Sequence, residues 1–186
     1  MQQYQELGHV KPDKEFRGRS AFIVQLWWIV QGTLFAWSPQ FLYGWRNFLL
    51  RSFGAKIGNH VRIRPSARFT YPWKVSMGDY CRIGDNTILY SLGEISLGNH
   101  TVISQQSYIC AGSHDYTSVT FDLYASPVRI ADQVWVAADV FIAPGVSIGT
   151  GSVIGARSTV LEDLPGGMIC YGNPAKPMKR REVKER

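Results

Sequence analysis

Residues 57–116 read IGNHVRIRPSARFTYPWKVS (57–76), MGDYCRIGDNTILYSLGEIS (77–96) and LGNHTVISQQSYICAGSHDY (97–116), three lines that stack on one another. Gly58, Gly78 and Gly98 coincide, then Asn59, Asp79 and Asn99, then His60, Tyr80 and His100. Inside each line a second period of six runs, every hexad opening on an apolar residue. The openers are Ile57, Ile63, Phe69, Val75, Met77, Ile83, Leu89, Ile95, Leu97, Ile103 and Ile109. After an interruption they continue as Ile130, Val136, Ile142, Ile148, Ile154 and Val160. In a chain that is 45% apolar, seventeen such hits arise by chance on the order of once in a million phases, so the period is a fold signal. A period near twenty with a sub-period of six predicts a solenoid of short parallel strands, three to a coil, whose core is the stack of hexad openers. The predicted fold is therefore an all-β solenoid, a parallel β-helix with an N-terminal helical hairpin.

Working outward, the N-terminal part (1–56) begins with a polar arm of mixed charge. From Ser20 to Trp45 there follow twenty-six residues without Asp, Glu, Lys or Arg, including Trp27, Trp28, Trp37 and Trp45. Ser38-Pro39 divides this stretch, with Ser suited to an N-cap and Pro to a first helical turn, so two helices are predicted at about 20–36 and 39–52. Gln25, Gln31 and Gly32 interrupt the first too early for a membrane span. Basic residues flank both sides (Lys11, Lys14, Arg17, Arg19; Arg46, Arg51), unlike the asymmetry of a single span. Two readings stay open: a cap on the open end of the solenoid, and an aromatic hairpin lying in the membrane interface.

The β-helix spans 57–164 and is broken by an excursion at 115–126 that lacks the hexad pattern. Pro165-Gly166-Gly167 ends it, and 165–186 forms a turn and a basic tail. Much of the formal charge of +6 lies in that tail. It reads as a solvated end, or as a patch for an anionic cofactor or membrane; no nucleic-acid motif accompanies it. Three scattered cysteines without metal spacing suit free thiols in a cytoplasmic protein.

A dozen residues leaving a repetitive scaffold is where function is expected. His114 sits at the root of that excursion in Gly112-Ser113-His114-Asp115, whereas His60 and His100 share a corner column and read as surface residues. The twenty-residue register places Glu94 one coil below His114. From there its carboxylate would accept the Nδ1 proton and leave Nε2 as a base; the alternative is a surface ion ladder with Lys74. A zinc site needs three converging ligands, and no second histidine or cysteine cluster lies near His114.

The hexads, the excursion and GSHDY (112–116) resemble the hexapeptide-repeat acyltransferases, over about residues 55–178. The segments QLWW (25–28), TLFAWSPQ (33–40), FGAKIG (53–58), RPSARFTYPWK (64–74), ISQQSYICAGSHDY (103–116), VFIAPGVSIG (140–149) and GNPA (172–175) are similar to the colanic acid biosynthesis acetyltransferase type. The resemblance implies a left-handed parallel β-helix and a homotrimer with active sites between neighbouring solenoids. It implies O-acetylation of a sugar hydroxyl, with acetyl-CoA as donor and no metal, during exopolysaccharide assembly. His114 stands where the family's catalytic histidine stands. Small residues at Ala137, Ala138, Gly155 and Ala156 fall at the family's CoA positions, and Lys176, Lys179 and Arg180 are placed for the CoA phosphates. Trp135 corresponds to a groove-lining tryptophan, with Asn86, Asp115 and Tyr116 as further acceptor-side candidates. Related galactoside acetyltransferases carry an acceptor-binding aspartate where this chain has Leu92, so the acceptor pocket does not carry over. A polyprenyl-linked saccharide acceptor at the inner-membrane surface would account for the aromatic hairpin. The rival readings are a non-catalytic β-helix scaffold and a metal-dependent hydratase.

Overall fold

All seventeen hexad openers point into one column, none more than 8% exposed. In the computed structural model, which describes residues 4–9 and 14–184, they form the spine of a three-faced parallel β-helix. The remaining residues of the polar arm (1–3 and 10–13, with Lys11) and of the basic tail (185–186) lie outside the described residues. The three faces are sheets of five, seven and five strands, which we call the first, second and third faces in the order the chain visits them. In the uninterrupted coils the register is twenty residues: Ile57 pairs with Met77, Ile63 with Ile83, Phe69 with Leu89. After the excursion it becomes eighteen, Ile130 pairing with Ile148 and Val136 with Ile154.

The repeat columns have physical causes. The Asn/Asp column links the coils through its side chains: Asn59 N donates to Asp79 Oδ1 (2.7 Å), Asp79 N to Asn99 Oδ1 (2.8 Å) and Asn99 N to Asp132 Oδ1 (2.6 Å). The preceding glycine is forced by that closeness, since a Cβ on Gly98 would lie 2.5 Å from the backbone nitrogen of Asp132. His60, Tyr80 and His100 then turn the corner with φ of 55°, 61° and 57°. Inner corner hydroxyls bond the next coil, as Thr101 Oγ1 does to Ala131 O and Ser107 Oγ to Ala137 O.

The hairpin differs from its predicted boundaries. Ser20 caps helix Ala21–Val30, which runs into a wider turn, Gln31–Phe35; the second helix is Tyr43–Ser52 and begins four residues after Pro39. Ser38 is no N-cap: its hydroxyl donates to Phe35 O (2.6 Å) and accepts from Arg46 Nη1 (2.8 Å). Of the two sequence readings, the hairpin does act as a cap. Trp27 and Phe35 are wholly buried against Phe69, and Leu49 and Leu50 pack in the same core.

Its polar groups close the exposed edge of the first coil. Arg46 Nε donates to Ile63 O, Asn47 Nδ2 to Val61 O, Arg51 to Ile57 O, and Trp27 Nε1 to Phe69 O, while Gln31 Oε1 accepts from Phe69 N. An open strand edge is a row of unmet donors and acceptors that invites association, and here side chains meet it. At the other end Met168–Gly172 stacks on the last coil, and Ala175–Arg180 returns antiparallel to it. The predicted basic tail is thus largely a strand.

Candidate active site

The excursion leaves the solenoid earlier than its composition suggests. Gly112–His114 and Leu123–Ala125 form an antiparallel hairpin in which His114 faces Leu123. The chain departs at Ala111 and returns at Ser126, whose N–H donates to Ala111 O (3.1 Å). Val128 then stacks on Ile95, so the coil position over Glu94 belongs to Pro127 and not to His114. The register argument that set Glu94 beneath the imidazole therefore fails, because it counted hairpin residues as a coil. Glu94 is solvent-exposed, and its charge acts on Lys74, whose ammonium donates to the carbonyls of Phe16 and Leu92.

The partner of His114 Nδ1 is the carbonyl of Phe121, at 2.8 Å. A carbonyl can only accept, so Nδ1 carries the proton and Nε2 presents its lone pair. The Phe121 ring stacks on the imidazole, centroids 4.2 Å apart and planes 9° from parallel. One residue thus fixes both tautomer and ring orientation, and both contacts arise within the hairpin. The sequence signal missed here was Phe121, an aromatic seven residues on within the excursion.

Asp115 accepts from Thr117 N (2.9 Å) and Thr117 Oγ1 (2.6 Å), which forms the hairpin turn and lowers its pKa. Tyr116, 85% exposed, stands at the turn. Cys110 is buried, donates to Gly112 O, and burial pushes its thiol pKa up, so it lacks the thiolate character of a nucleophile. Leu92 is buried with Val24 and Tyr71, and the excursion's Leu123 and Ala125 pack on that cluster. The hairpin thus rests on an apolar footing. Leu92→Asp is expected to lower stability by about 3 kcal/mol or more, as an unpaired buried carboxylate would; urea unfolding measures it.

The other predicted residues lie elsewhere on the chain. Trp135, 47% exposed, is on the second face, its Nε1 donating to Ser104 Oγ (3.0 Å). Asn86 occupies the corner between the second and third faces with φ 55°. Ala137 and Ala138 continue the strand register onto Gly155 and Ala156, a column of small residues at that same corner; a Cβ on Gly155 would meet Tyr171 Cβ at 2.8 Å. Lys179 and Arg180 are exposed on the last strand, while Lys176 pairs with Glu162 at 2.9 Å. His114, Asp115 and Tyr116 therefore lie at the edge between the third and first faces, on which Glu94 also falls, and the remaining candidates lie on the second face or at its corner with the third. Among the described residues no three His, Cys, Asp or Glu converge as a metal site would require.

The bacterial transferase hexapeptide (six repeats) pattern matches residues 127–162. Over 177 residues, 95% of this chain and 97% of the relative, the sequence is 56% identical to a protein of Escherichia coli (strain K12) provisionally named colanic acid biosynthesis acetyltransferase WcaF. In fold it is similar to a maltose O-acetyltransferase from Clostridium difficile 630 (TM-score 0.81, 23% identity, 92% of this chain and 97% of that one). A similar match is a hexapeptide-repeat acetyltransferase from Vibrio cholerae O1 biovar eltor, solved with acetyl coenzyme A (TM-score 0.80, 21% identity, 93% and 100%). The chain belongs to the hexapeptide-repeat acetyltransferases, in the branch of the colanic acid biosynthesis acetyltransferases.

Proposed function

We propose that the protein is an acetyl-CoA-dependent O-acetyltransferase acting on a sugar hydroxyl during exopolysaccharide assembly, with His114 as general base. The observation that carries this is the Nδ1–Phe121 carbonyl bond, which leaves Nε2 unprotonated and aimed by a stacked ring. In the reaction Nε2 takes the proton from the acceptor hydroxyl as that oxygen attacks the thioester carbonyl. The tetrahedral intermediate collapses, the carbon–sulfur bond breaks, and the imidazolium returns its proton to the departing CoA thiolate. No acyl-enzyme is needed, in keeping with the buried thiol at Cys110.

The small-residue column at Ala137, Ala138, Gly155 and Ala156 suits a pantetheine arm, with Lys179 and Arg180 toward the CoA phosphates. Lys176 already has a carboxylate partner. Because that column and Trp135 lie on a different face from His114, the reading includes a homotrimer in which one copy's excursion meets the second face of its neighbour. Light scattering on the full chain is expected to give three copies per particle. A monomer at assay concentration would remove this form of the site.

The acceptor is read as a polyprenyl-linked saccharide met at the inner-membrane surface. Phe22, Ile29, Leu34, Trp37, Phe41 and Phe48 of the hairpin are exposed, and between Phe16 and Gly78 the chain has nine Lys and Arg and no Asp or Glu. Exposed aromatic side chains in a segment whose charged residues are all basic suit an anionic bilayer. No described helix is long and apolar enough to cross a membrane. The decisive experiment is mass spectrometry of lipid-linked glycan intermediates with and without the protein: an added acetyl group is expected, and its absence overturns the reading.

A further inference from the structure

A cavity of about 700 Å³ lies between helix Tyr43–Ser52 and the first three coils, away from the His114 edge. One wall is the stack of His60, Tyr80 and His100, whose ring centroids are 4.8 and 4.9 Å apart and whose planes are within 19° and 6° of parallel. The adjoining wall carries Arg62 and Arg82, paired residue to residue in neighbouring coils. That places two positive side chains one strand spacing apart, about 4.8 Å, a juxtaposition that opposes folding unless an anion offsets it.

The neighbouring arginine on this edge is neutralised within the chain. Arg64, two residues along, is paired with Asp85 at 2.8 Å. Among the described residues the Arg82 guanidinium has no ion pair or hydrogen bond, and that of Arg62 has only the Tyr43 ring, at 5.9 Å. Among the described residues no carboxylate lines the cavity; Arg51 does, but its guanidinium is committed to the carbonyls of Ile57 and Gly58. The carboxylate of the neighbouring corner, Asp79, accepts from Asn59 N.

We propose that this cavity binds a glycosyl phosphate, with Arg62 and Arg82 on the phosphoryl oxygens and the His60–Tyr80–His100 wall against a face of the sugar. Paired guanidinium groups match phosphate geometry, and a flat ring surface takes the C–H face of a pyranose. The proposal deepens the reading of the acceptor as a phosphate-linked saccharide and rests on it for the origin of the ligand, free or lipid-linked.

The test is calorimetric titration of the full chain, kept saturated with CoA, with glucose 1-phosphate and with inorganic phosphate. Glucose 1-phosphate is expected to bind, and more tightly than phosphate. Arg62→Gln and Arg82→Gln should each weaken it on the order of ten-fold. Tyr80→Leu should erase the preference over phosphate, and Arg68→Gln, exposed on the third face, should change nothing. Absence of binding at millimolar ligand, or affinity indifferent to both arginines, overturns the proposal. So does binding only when CoA is omitted, which would assign the phosphate to the donor site. Phosphatidylglycerol vesicles form a separate arm: if they bind through Arg62 and Arg82 while glucose 1-phosphate does not, the anion is a lipid headgroup and the sugar-phosphate assignment falls. Because binding is read without turnover, His114→Ala should titrate like the parent. A protein that binds the sugar phosphate yet adds no acetyl to lipid-linked glycans would sink the catalytic reading and leave this site standing.

Discussion

His114→Ala is expected to lower the turnover of acetyl transfer by roughly 10²- to 10⁴-fold, the span that a positioned general base contributes. The affinity for acetyl-CoA should stay within about two-fold, because the proposed donor contacts lie on another face. The two readouts separate chemistry from folding. The imidazole is only partly buried and its ring partner is Phe121 of the same hairpin, so its removal should leave the helix intact. Phe121→Ala should lower turnover less, since the backbone carbonyl that holds Nδ1 remains while the stacked ring is lost. Unaltered turnover in His114→Ala would remove His114 from the mechanism and return the scaffold reading to contention.

Arg46→Ala is expected to cost about 3 kcal/mol or more of folding stability, from the acceptors it leaves unmet. Arg46 is fully buried and among the described residues has no carboxylate partner; burial lowers its pKa from the ordinary value. Its guanidinium is met instead by Ile63 O (2.7 Å), Ser38 Oγ (2.8 Å), Pro39 O (2.9 Å) and Gln40 O (2.5 Å). Truncation would strip the connection between the two helices and the first coil of their common donor at once. Trp37→Ala is the control: at 83% exposure it should shift the urea midpoint by an amount equivalent to less than about 0.5 kcal/mol. A small effect of Arg46→Ala would mean that water replaces the guanidinium and that the aromatic packing alone holds the cap.

The sequence disclosed whatever repeats. Each hexad opener is selected by the same buried column, so Ile57 through Val160 could be read from residue type alone, and the register of Ile63 on Ile83 followed by counting. Counting broke at Gly112, where an antiparallel hairpin leaves the coil with no change in composition to mark it; Glu94 was misplaced for that reason. Contacts made once are invisible to periodicity. The Arg46, Asn47 and Gln31 bonds to the first coil join residues 14 to 38 positions apart and follow no pattern. The His60–Tyr80–His100 corner was read as plain surface. The signal beside it was available, since Arg62 and Arg82 are twenty residues apart with no acidic residue between His60 and Gly78.

The bond from Ser126 to Ala111 means that the polypeptide rejoins its spiral at the point where it departed. The rise and winding of everything downstream are thereby insulated from what happens in the intervening segment. Inheritance can lengthen, shorten or rewrite that segment without retuning the scaffold, which makes it the natural place for one architecture to acquire new acceptors.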